Sequence, residues 1–228
     1  IDYLNGQFFA TGASGTILTS PTGVTNTWTS RTTQGGNIYG VAYGVVNGVG
    51  TYVAVGGNDN ISASTSVSFI YSSADGASWT RRFPPTSATF RAVVFNQGIF
   101  TAVGFDGTIC RSTDGITWRL VGSDAGTDLM ALRVAGGRYY ALQRTRGSFF
   151  NEDFSAVLVS SDGESWTRVE QPNSADQIGL ELFGGRLYTG GSGASIFRSA
   201  AIQAPTTPVV AQLTPSRQAT QGETIALA

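Results

Sequence analysis

The chain contains no histidine, no lysine and a single cysteine, and only 13% of its 228 residues are charged. The absence of histidine excludes a Ser-His-Asp triad, a Cys-His pair and a His-ligated zinc site. Cys110 cannot form an internal disulfide, and its position in an apolar alternating run predicts a buried structural thiol. These absences remove much of common hydrolase and metal chemistry, so we predict no catalytic residue, no metal and no cofactor.

The chain also has neither an excess of charge of one sign nor a long apolar run. The formal net charge is -1, and the arginines are scattered rather than gathered into a basic stripe, which argues against a nucleic-acid partner. No apolar stretch approaches the roughly 18 residues of a membrane span. The start has neither an initiator methionine nor a signal-peptide pattern, so we expect the front of the chain to be cut.

Glycine and aromatic residues, by contrast, are plentiful. The chain has 30 glycines, 11% aromatic residues and only 7 prolines, and these prolines lie between runs of alternating apolar residues. This composition is typical of many short strands joined by tight turns. A length of 228 residues is sufficient for one large all-β domain with a substantial core.

A short pattern, S-x-D-G-x-[ST]-W, occurs in three copies that each end on a tryptophan. Its members are Ser73, Asp75, Gly76 and Trp79; Ser112, Asp114, Gly115 and Trp118; and Ser160, Asp162, Gly163 and Trp166. A looser copy, in which Thr22 replaces the aspartate and the turn is longer, ends at Trp28. All four tryptophans therefore belong to one repeated local pattern.

The repeat extends upstream of the motif. Each unit carries an aromatic arm such as Phe100-Thr-Ala102, followed by a short strand that ends in serine, such as Ile109–Ser112. Five units are counted in this way, with a period of about 40 residues. Each has room for four strands, labelled A to D in chain order, which is the signature of β-propeller blades. The predicted fold is an all-β propeller with blades at about residues 1–34, 35–86, 87–124, 125–174 and 175–204.

The fifth unit lacks the aspartate and the tryptophan of the motif, so we expect this blade to be incomplete. Its fourth strand would come either from residues before Ile1 or from Val209–Leu213, or the chain is part of a larger ring. Residues 205–228 change in character, from a Pro205-Thr-Thr-Pro208 linker to a stretch that resembles the truncated start of a bacterial immunoglobulin-like module.

The repeated motif resembles the Asp-box, or BNR, repeat of sialidases, sortilin-type receptors and photosystem II assembly factors. Those proteins usually have S-x-D-x-G-x-[TS]-W, and one residue between aspartate and glycine is missing here. The resemblance covers about residues 1 to 200 and implies a β-propeller. Because the family includes enzymes, receptors and chaperone-like factors, the resemblance does not imply one particular function.

The motif has a structural interpretation. Its glycine can supply a left-handed backbone position, while its aspartate accepts backbone N–H groups across the turn between strands C and D. The alternative, that Asp75, Asp114 and Asp162 form a metal or catalytic site, requires them to converge, whereas equivalent positions of different blades lie far apart. We therefore expect Asp114→Ala to lower the melting temperature without changing any binding activity.

Ligand sites in propellers favour the face that carries the B–C and D–A loops. Two B–C loops are long, and the short one between them would leave a groove. The candidate binding residues are Asn58, Asp59, Asn60, Phe105, Asp106, Arg144, Arg146, Phe149 and Phe150. Such residues suit sugar rings or a peptide strand; alternatively, the phenylalanines only anchor a long loop. The Asn58-Asp59-Asn60 stretch lacks the spacing of a calcium loop.

A sialidase would need three convergent arginines, a Tyr–Glu couple and an acid/base aspartate. No F-R-I-P-like arginine motif is present. At one strand-A position the blades carry Asp2, Ala42, Val94, Arg133 and Glu181, which predicts a ring of compensating charges rather than an active site.

These observations favour a non-catalytic module with a glycan or protein ligand on the B–C loop face. Its further partners would be other modules of the same secreted or cell-surface polypeptide. The alternative is a fragment of a sialidase-like glycoside hydrolase.

Overall fold

A computed structural model describes residues 1–58, 67–124, 126–145, 155–169, 177–191, 195–202 and 213–218. Every regular element in these ranges is a β-strand, and the strands form five separate sheets. The described residues include no helix that is long and apolar enough to cross a membrane. The predicted all-β class is confirmed.

The chain divides into two compact units, and the first, Ile1–Ala125, contains three sheets. Each sheet is an antiparallel meander of four strands. The first sheet consists of β1 (Asp2–Leu4), β2 (Gln7–Thr11), β3 (Ile17–Ser20) and β4 (Thr29–Ser30). The second consists of β5 (Asn37–Val46), β6 (Val49–Gly57), β7 (Ser68–Ser73) and β8 (Thr80–Arg82). The third consists of β9 (Phe90–Asn96), β10 (Ile99–Gly104), β11 (Ile109–Ser112) and β12 (Arg119–Gly122).

The second unit, Gly126–Ala228, contains two sheets of the same kind. The fourth sheet consists of β13 (Thr127–Ala135), β14 (Arg138–Thr145), β15 (Ser155–Ser160) and β16 (Thr167–Val169). The fifth consists of β17 (Gln177–Phe183), β18 (Arg186–Gly191), β19 (Ser195–Ser199) and β20 (Leu213–Gln218). The four-stranded antiparallel blade predicted from the repeat is thus present five times.

The fifth sheet has all four strands, which corrects the expectation that this unit is incomplete. Strand β20 pairs antiparallel with β19 and begins at Leu213, the last residue of the second predicted alternative. It lies inside the segment predicted as linker and immunoglobulin-like start. The sequence did not reveal this strand because edge pairing uses backbone groups and needs no motif. Pro215, which has no N–H to donate, is tolerated on such an edge strand.

The first two strands of every sheet are joined by a two-residue hairpin turn. In the third sheet this turn is Gln97-Gly98, with φ of 50° and 81°, and in the fourth it is Gly136-Gly137, with φ of 55° and 74°. Positive φ at both positions is the geometry of a type I′ turn, whose twist matches that of the flanking strands. They are tight turns of the kind that the glycine-rich composition predicted.

The core of each unit lies between neighbouring sheets. Val53 and Ile70 of the second sheet pack with Phe90 and Phe100 of the third in one buried cluster, which also contains Cys110. The thiol of Cys110 is fully buried, and loss of hydration raises its pKa to about 12. In the second unit, Leu142 and Leu180 belong to an equivalent cluster between the fourth and fifth sheets. The alternating apolar residues of the strands supply these buried faces.

Candidate functional site

The three predicted aspartate turns follow the third strand of the second, third and fourth sheets. In the first of them, Asp75 Oδ1 accepts hydrogen bonds from the N–H groups of Ala77 and Ser78, both at 2.8 Å. The Ser73 hydroxyl donates to the same oxygen at 2.8 Å and accepts from the N–H of Gly76 at 2.8 Å. Serine and aspartate together bind the backbone donors of the turn.

The other two turns repeat this geometry. Asp114 Oδ1 accepts from the N–H groups of Ile116 and Thr117 at 2.7 Å, and Asp162 Oδ1 accepts from Glu164 and Ser165 at 2.8 Å. Ser112 and Ser160 make the same contacts as Ser73, and their hydroxyls donate to the aspartates at 2.8 and 2.9 Å. Each carboxylate thus uses one oxygen to organise its own turn.

These hydrogen bonds stabilise the ionised carboxylates. The N–H groups of Ser78 and Ala77, with the Ser73 hydroxyl, lower the pKa of Asp75 to about 2. Those of Ser165 and Glu164 lower the pKa of Asp162 to about 2. Burial opposes the ionisation of Asp114, but its hydrogen bonds with Thr117, Ile116 and Ser112 prevail and its pKa is also lowered. A general acid needs the opposite shift, so the turns are poorly suited to proton donation.

The glycine and the tryptophan of each turn connect it to the apolar core. Gly115 has φ of 71°, and a β-carbon there would lie 3.0 Å from Thr51 and 3.1 Å from Val53 in the preceding sheet. Trp118, which closes the same turn, is only 7% exposed and packs into the core cluster. Trp79 and Trp166 are half-buried. The turns therefore fasten outer strands to the core.

The degraded copy in the first sheet keeps part of this network. The Ser20 hydroxyl accepts from the N–H of Gly23 at 2.8 Å, and Gly23 has φ of 74°. Thr22 accepts from the N–H of Val24 at only 3.5 Å, while the Thr27 hydroxyl donates to the Val24 carbonyl at 2.7 Å. Hydroxyl groups replace the carboxylate here, and the half-buried Trp28 still ends the turn.

We expect Asp114→Ala to lower the free energy of unfolding by about 2 kcal/mol, because it removes three hydrogen bonds to a charged acceptor. Asp114→Asn, which keeps an acceptor oxygen without the charge, should lose about half as much. Equilibrium urea unfolding measures both changes. Loss of ligand binding in an equally stable Asp114→Ala variant would contradict a purely structural role.

The pH dependence follows from the sign of the shift. A carboxyl whose pKa is lower in the folded state than in the unfolded state stabilises the fold at pH values above its unfolded pKa. For Asp75 and Asp162 this contribution is complete above about pH 4 and is lost as the pH falls through about 2. The difference in melting temperature between wild type and Asp75→Ala should therefore shrink between pH 4 and pH 2.5, and an unchanged difference would argue against this origin.

The predicted B–C groove is only partly within the described residues. Asp59, Asn60, Arg146, Phe149 and Phe150 lie outside them. Asn58, Phe105 and Asp106 belong to the first unit, and Arg144 belongs to the second. Arg144 lies 3.6 Å from a carboxylate oxygen of Asp128, whose side chain is 3% exposed. This ion pair gives Arg144 a structural partner within its own sheet.

In the first unit, the B–C loop residue Phe105 lies near an arginine of β9 that was not among the predicted groove residues. The Arg91 guanidinium lies 3.9 Å from the ring centre of Tyr39 and 5.6 Å from that of Phe105. Thr89 connects the two loops, since its hydroxyl donates to the Asn58 carbonyl at 2.9 Å and its carbonyl accepts from the N–H of Phe105 at 2.9 Å. We call Tyr39, Arg91 and Phe105 the loop-face cluster. All three residues are half-buried.

A second concave region lies elsewhere in the first unit. It is a groove of about 700 Å³ along the outer strands of the first two sheets. We call it the rim groove, and its lining residues are Ser30, Arg31, Thr32, Thr33, Gln34, Tyr71, Ala77, Trp79 and Arg81. The sequence does not reveal this groove, because residues 30–34 and 71–81 are distant in the chain and share no motif beyond the aspartate turn.

Of the strand-A charges, the structure pairs the two that lie in the second unit. Arg133 Nε donates to Glu181 at 3.2 Å, and a second contact joins its terminal nitrogen to the other carboxylate oxygen. The Arg133 side chain is half-buried and the Glu181 side chain is exposed to solvent. Within the described ranges no group of three or more Cys, Asp and Glu side chains is arranged to hold a metal ion.

The chain matches no protein-family model and no curated protein sequence. It is similar in structure to YCF48 from Cyanidioschyzon merolae, with a TM-score of 0.59, 13% identity and coverage of 93% of this chain and 70% of that one. The propeller domain of Cps50 (Swd1) from Myceliophteria thermophila has a TM-score of 0.60 and 12% identity, and the alignment covers 91% of this chain and 67% of that one. The WD40 propeller domain of Doa1 has a TM-score of 0.57 and 10% identity, and the alignment covers 90% of this chain and 65% of that one.

At 10 to 13% identity, these similarities establish the fold alone. Two of the three are named as propeller domains, and each of the three alignments covers at least 90% of this chain. Together with the five four-stranded sheets, this confirms the predicted β-propeller fold class. The chain spans between 65% and 70% of the length of the three similar chains. The fold is compatible with a scaffold or binding domain, and function must be argued from the sites.

Proposed function

We propose that this chain is a non-catalytic binding propeller of the Asp-box type, within a larger secreted or cell-surface protein, and that it takes a glycan or protein ligand on its B–C loop face. The observation that carries the proposal is the loop-face cluster, in which the Arg91 guanidinium lies over the ring of Tyr39 and 5.6 Å from the ring centre of Phe105. The Asp-box assignment is supported by three turns with nearly identical hydrogen bonds.

The loop-face cluster has the composition of a recognition site. Tyrosine and phenylalanine present large, rigid apolar surfaces, the tyrosine hydroxyl and the arginine guanidinium add polar groups, and tyrosine and arginine are enriched at binding hot spots. Cation–π contacts with both rings restrain the guanidinium, which reduces the entropy that Arg91 would lose on binding. Because all three residues are half-buried, part of each remains open to a partner.

The cluster is also held on a fixed backbone. Phe105 follows directly after β10, and its N–H is bonded to the carbonyl of Thr89, one residue before β9. Tyr39 and Arg91 lie within β5 and β9 themselves. Residues on strands and short bonded loops are positioned more precisely than those on long loops, which favours a preformed site.

A non-catalytic role is supported by the chemistry of the acidic groups. The three turn aspartates are held ionised by their own backbone. Asp128 and Glu181 are in ion pairs with Arg144 and Arg133. With no histidine in the sequence, a general acid or base would have to come from a carboxyl or tyrosine in a different setting.

The test uses the whole chain, labelled and applied to a glycan array and to a displayed random-peptide library. We expect specific ligands whose binding is lost in Arg91→Ala and Phe105→Ala, because each change removes one member of the loop-face cluster. The matched control is Arg119→Ala, which changes an exposed arginine on β12 and should retain binding.

Two outcomes would contradict the proposal. One is a set of ligands whose binding is unaffected by both loop-face variants, or the absence of any ligand in both libraries. The other is turnover of a fluorogenic sialoside by the wild-type chain, which would support the hydrolase alternative instead.

A further inference from the structure

The rim groove is a second candidate site, and it shares no residue with the loop-face cluster. One wall is formed by residues 30–34, which follow β4, and the other by Tyr71, Ala77, Trp79 and Arg81 of the second sheet. A volume of about 700 Å³ is within the range of sites that hold small ligands or a few units of a polymer.

The charge of the rim groove is positive. Arg31 and Arg81 both line it, whereas none of its lining residues is acidic. Within the described residues neither arginine forms an ion pair; Arg31 bonds to a threonine hydroxyl and Arg81 lies over two aromatic rings. The chain as a whole carries a net charge of -1, so two uncompensated guanidinium groups in one groove are a local departure that favours an anionic ligand.

Both arginines are held in place. Arg31 Nε donates to the Thr19 hydroxyl at 3.3 Å. The Arg81 guanidinium lies 4.8 Å from the ring centre of Phe69 and 5.6 Å from that of Phe83, a residue that is 81% exposed. Contact through the guanidinium face leaves its N–H edge available, and that edge binds a carboxylate or sulfate with two parallel hydrogen bonds.

The walls of the groove are preformed. The Tyr71 hydroxyl donates to the Gln34 carbonyl, which ties the segment after β4 to the second sheet. Gly35 allows this approach, since a β-carbon there would lie 2.8 Å from the Phe69 ring. On the opposite side, the Asp75 carboxylate binds the N–H of Ala77 and so shapes the wall that continues into Trp79. A rigid groove keeps the entropic cost of binding low.

The rim of the groove is polar. Ser30 and Thr32 share a hydrogen bond of 2.8 Å between their hydroxyls, and Thr33 donates to the Gly15 carbonyl at 3.2 Å. The only aliphatic side chain in the lining is Ala77. A peptide would find no pocket for an apolar anchor. A sugar chain, in contrast, offers hydroxyls to this rim and a C–H face to the half-buried indole of Trp79.

We propose that the rim groove binds an acidic saccharide, with Arg31 and Arg81 pairing with its carboxylate or sulfate groups and Trp79 contacting a sugar ring. This site does not depend on the loop-face cluster. An acidic saccharide ligand would explain three features at once: two arginines that form no ion pair within the described residues, preformed walls and a rim rich in hydroxyl groups.

The experiment is isothermal titration of the whole chain with hexasaccharides of heparin, hyaluronan and chitin and with a hexaglutamate peptide. Heparin carries sulfates, hyaluronan carries carboxylates alone and chitin is neutral, so the first two separate the sources of negative charge. We expect binding of one or both acidic saccharides, weakened by salt, and none of chitin. Arg31→Gln and Arg81→Gln should each weaken binding about tenfold or more.

The controls separate this inference from the proposed function. Arg119→Gln removes an exposed arginine from β12 and should bind like wild type. Arg91→Ala should also retain binding, even if it abolishes the loop-face ligand. Equal binding of chitin, tighter binding of hexaglutamate, absence of saccharide binding, or affinities unchanged in both rim variants would each overturn the inference. Arg81 is exposed, so its variant remains informative if Arg31→Gln fails to fold.

Discussion

Trp118→Ala is expected to lower the free energy of unfolding by about 3–5 kcal/mol, the largest effect of any turn substitution in this chain. Trp118 is 7% exposed and belongs to the buried cluster with Phe90, Phe100 and Cys110. Its removal leaves a cavity between the second and third sheets that the neighbouring strands cannot fill. Equilibrium urea unfolding followed by circular dichroism measures the loss.

The matched control for this substitution is Trp28→Ala. Trp28 ends the degraded turn and is half-buried, so its removal should cost only about 1–2 kcal/mol. Equal losses for Trp118→Ala and Trp28→Ala would show that the indole rings do not act through burial. The comparison therefore tests whether the aspartate turns stabilise the fold by fastening a tryptophan to the core.

Gly104→Ala is expected to cost about 3 kcal/mol, because the added β-carbon would collide with backbone rather than with a movable side chain. It would meet the Thr89 carbonyl oxygen and lie 2.7 Å from the Cα of Phe90. Gly104 lies at a register shift between β10 and β9, directly before Phe105 of the loop-face cluster. The substitution should therefore also weaken binding on the B–C loop face.

Two glycines of the same sheet separate steric from conformational effects. A β-carbon on Gly122 would meet no atom within 4 Å, so Gly122→Ala should change stability by less than about 0.5 kcal/mol. Gly98 also has free space, but its φ of 81° is strained for alanine, and Gly98→Ala should cost about 1 kcal/mol. A cost for Gly104→Ala similar to that for Gly98→Ala would argue against the backbone collision.

Local patterns accounted for most of the fold. Alternating apolar residues, abundant glycine and the repeat predicted four short strands per blade joined by tight turns, because these features depend on neighbours in the chain. The aspartate turns were predicted for the same reason, since Ser73 and Ser78 are only a few residues apart. The fourth strand of the fifth sheet was predicted only as one of several alternatives, and its bounds were not, because β20 carries no repeat motif and is defined by its pairing with β19.

The sequence predicted much less about which side chains meet at the candidate sites. Arg91 lies in a strand whose apolar pattern explains its neighbours, yet its partners Tyr39 and Phe105 come from another strand and a loop. Arg144 was assigned to a groove, and the structure pairs it with Asp128. The placement of these charged groups depends on register and packing between strands, which leave no mark in a local pattern.

The sequence by itself determined that this protein is a repeat of four-stranded antiparallel blades with aspartate-braced turns, because periodicity, turn residues and hydrogen bonds within a turn are properties of short segments. Only the tertiary structure decided which arginines meet aromatic rings and which line a groove. Residues such as Arg31 and Arg81 come together through the packing of one sheet on the next, and that packing brings together side chains far apart in the chain.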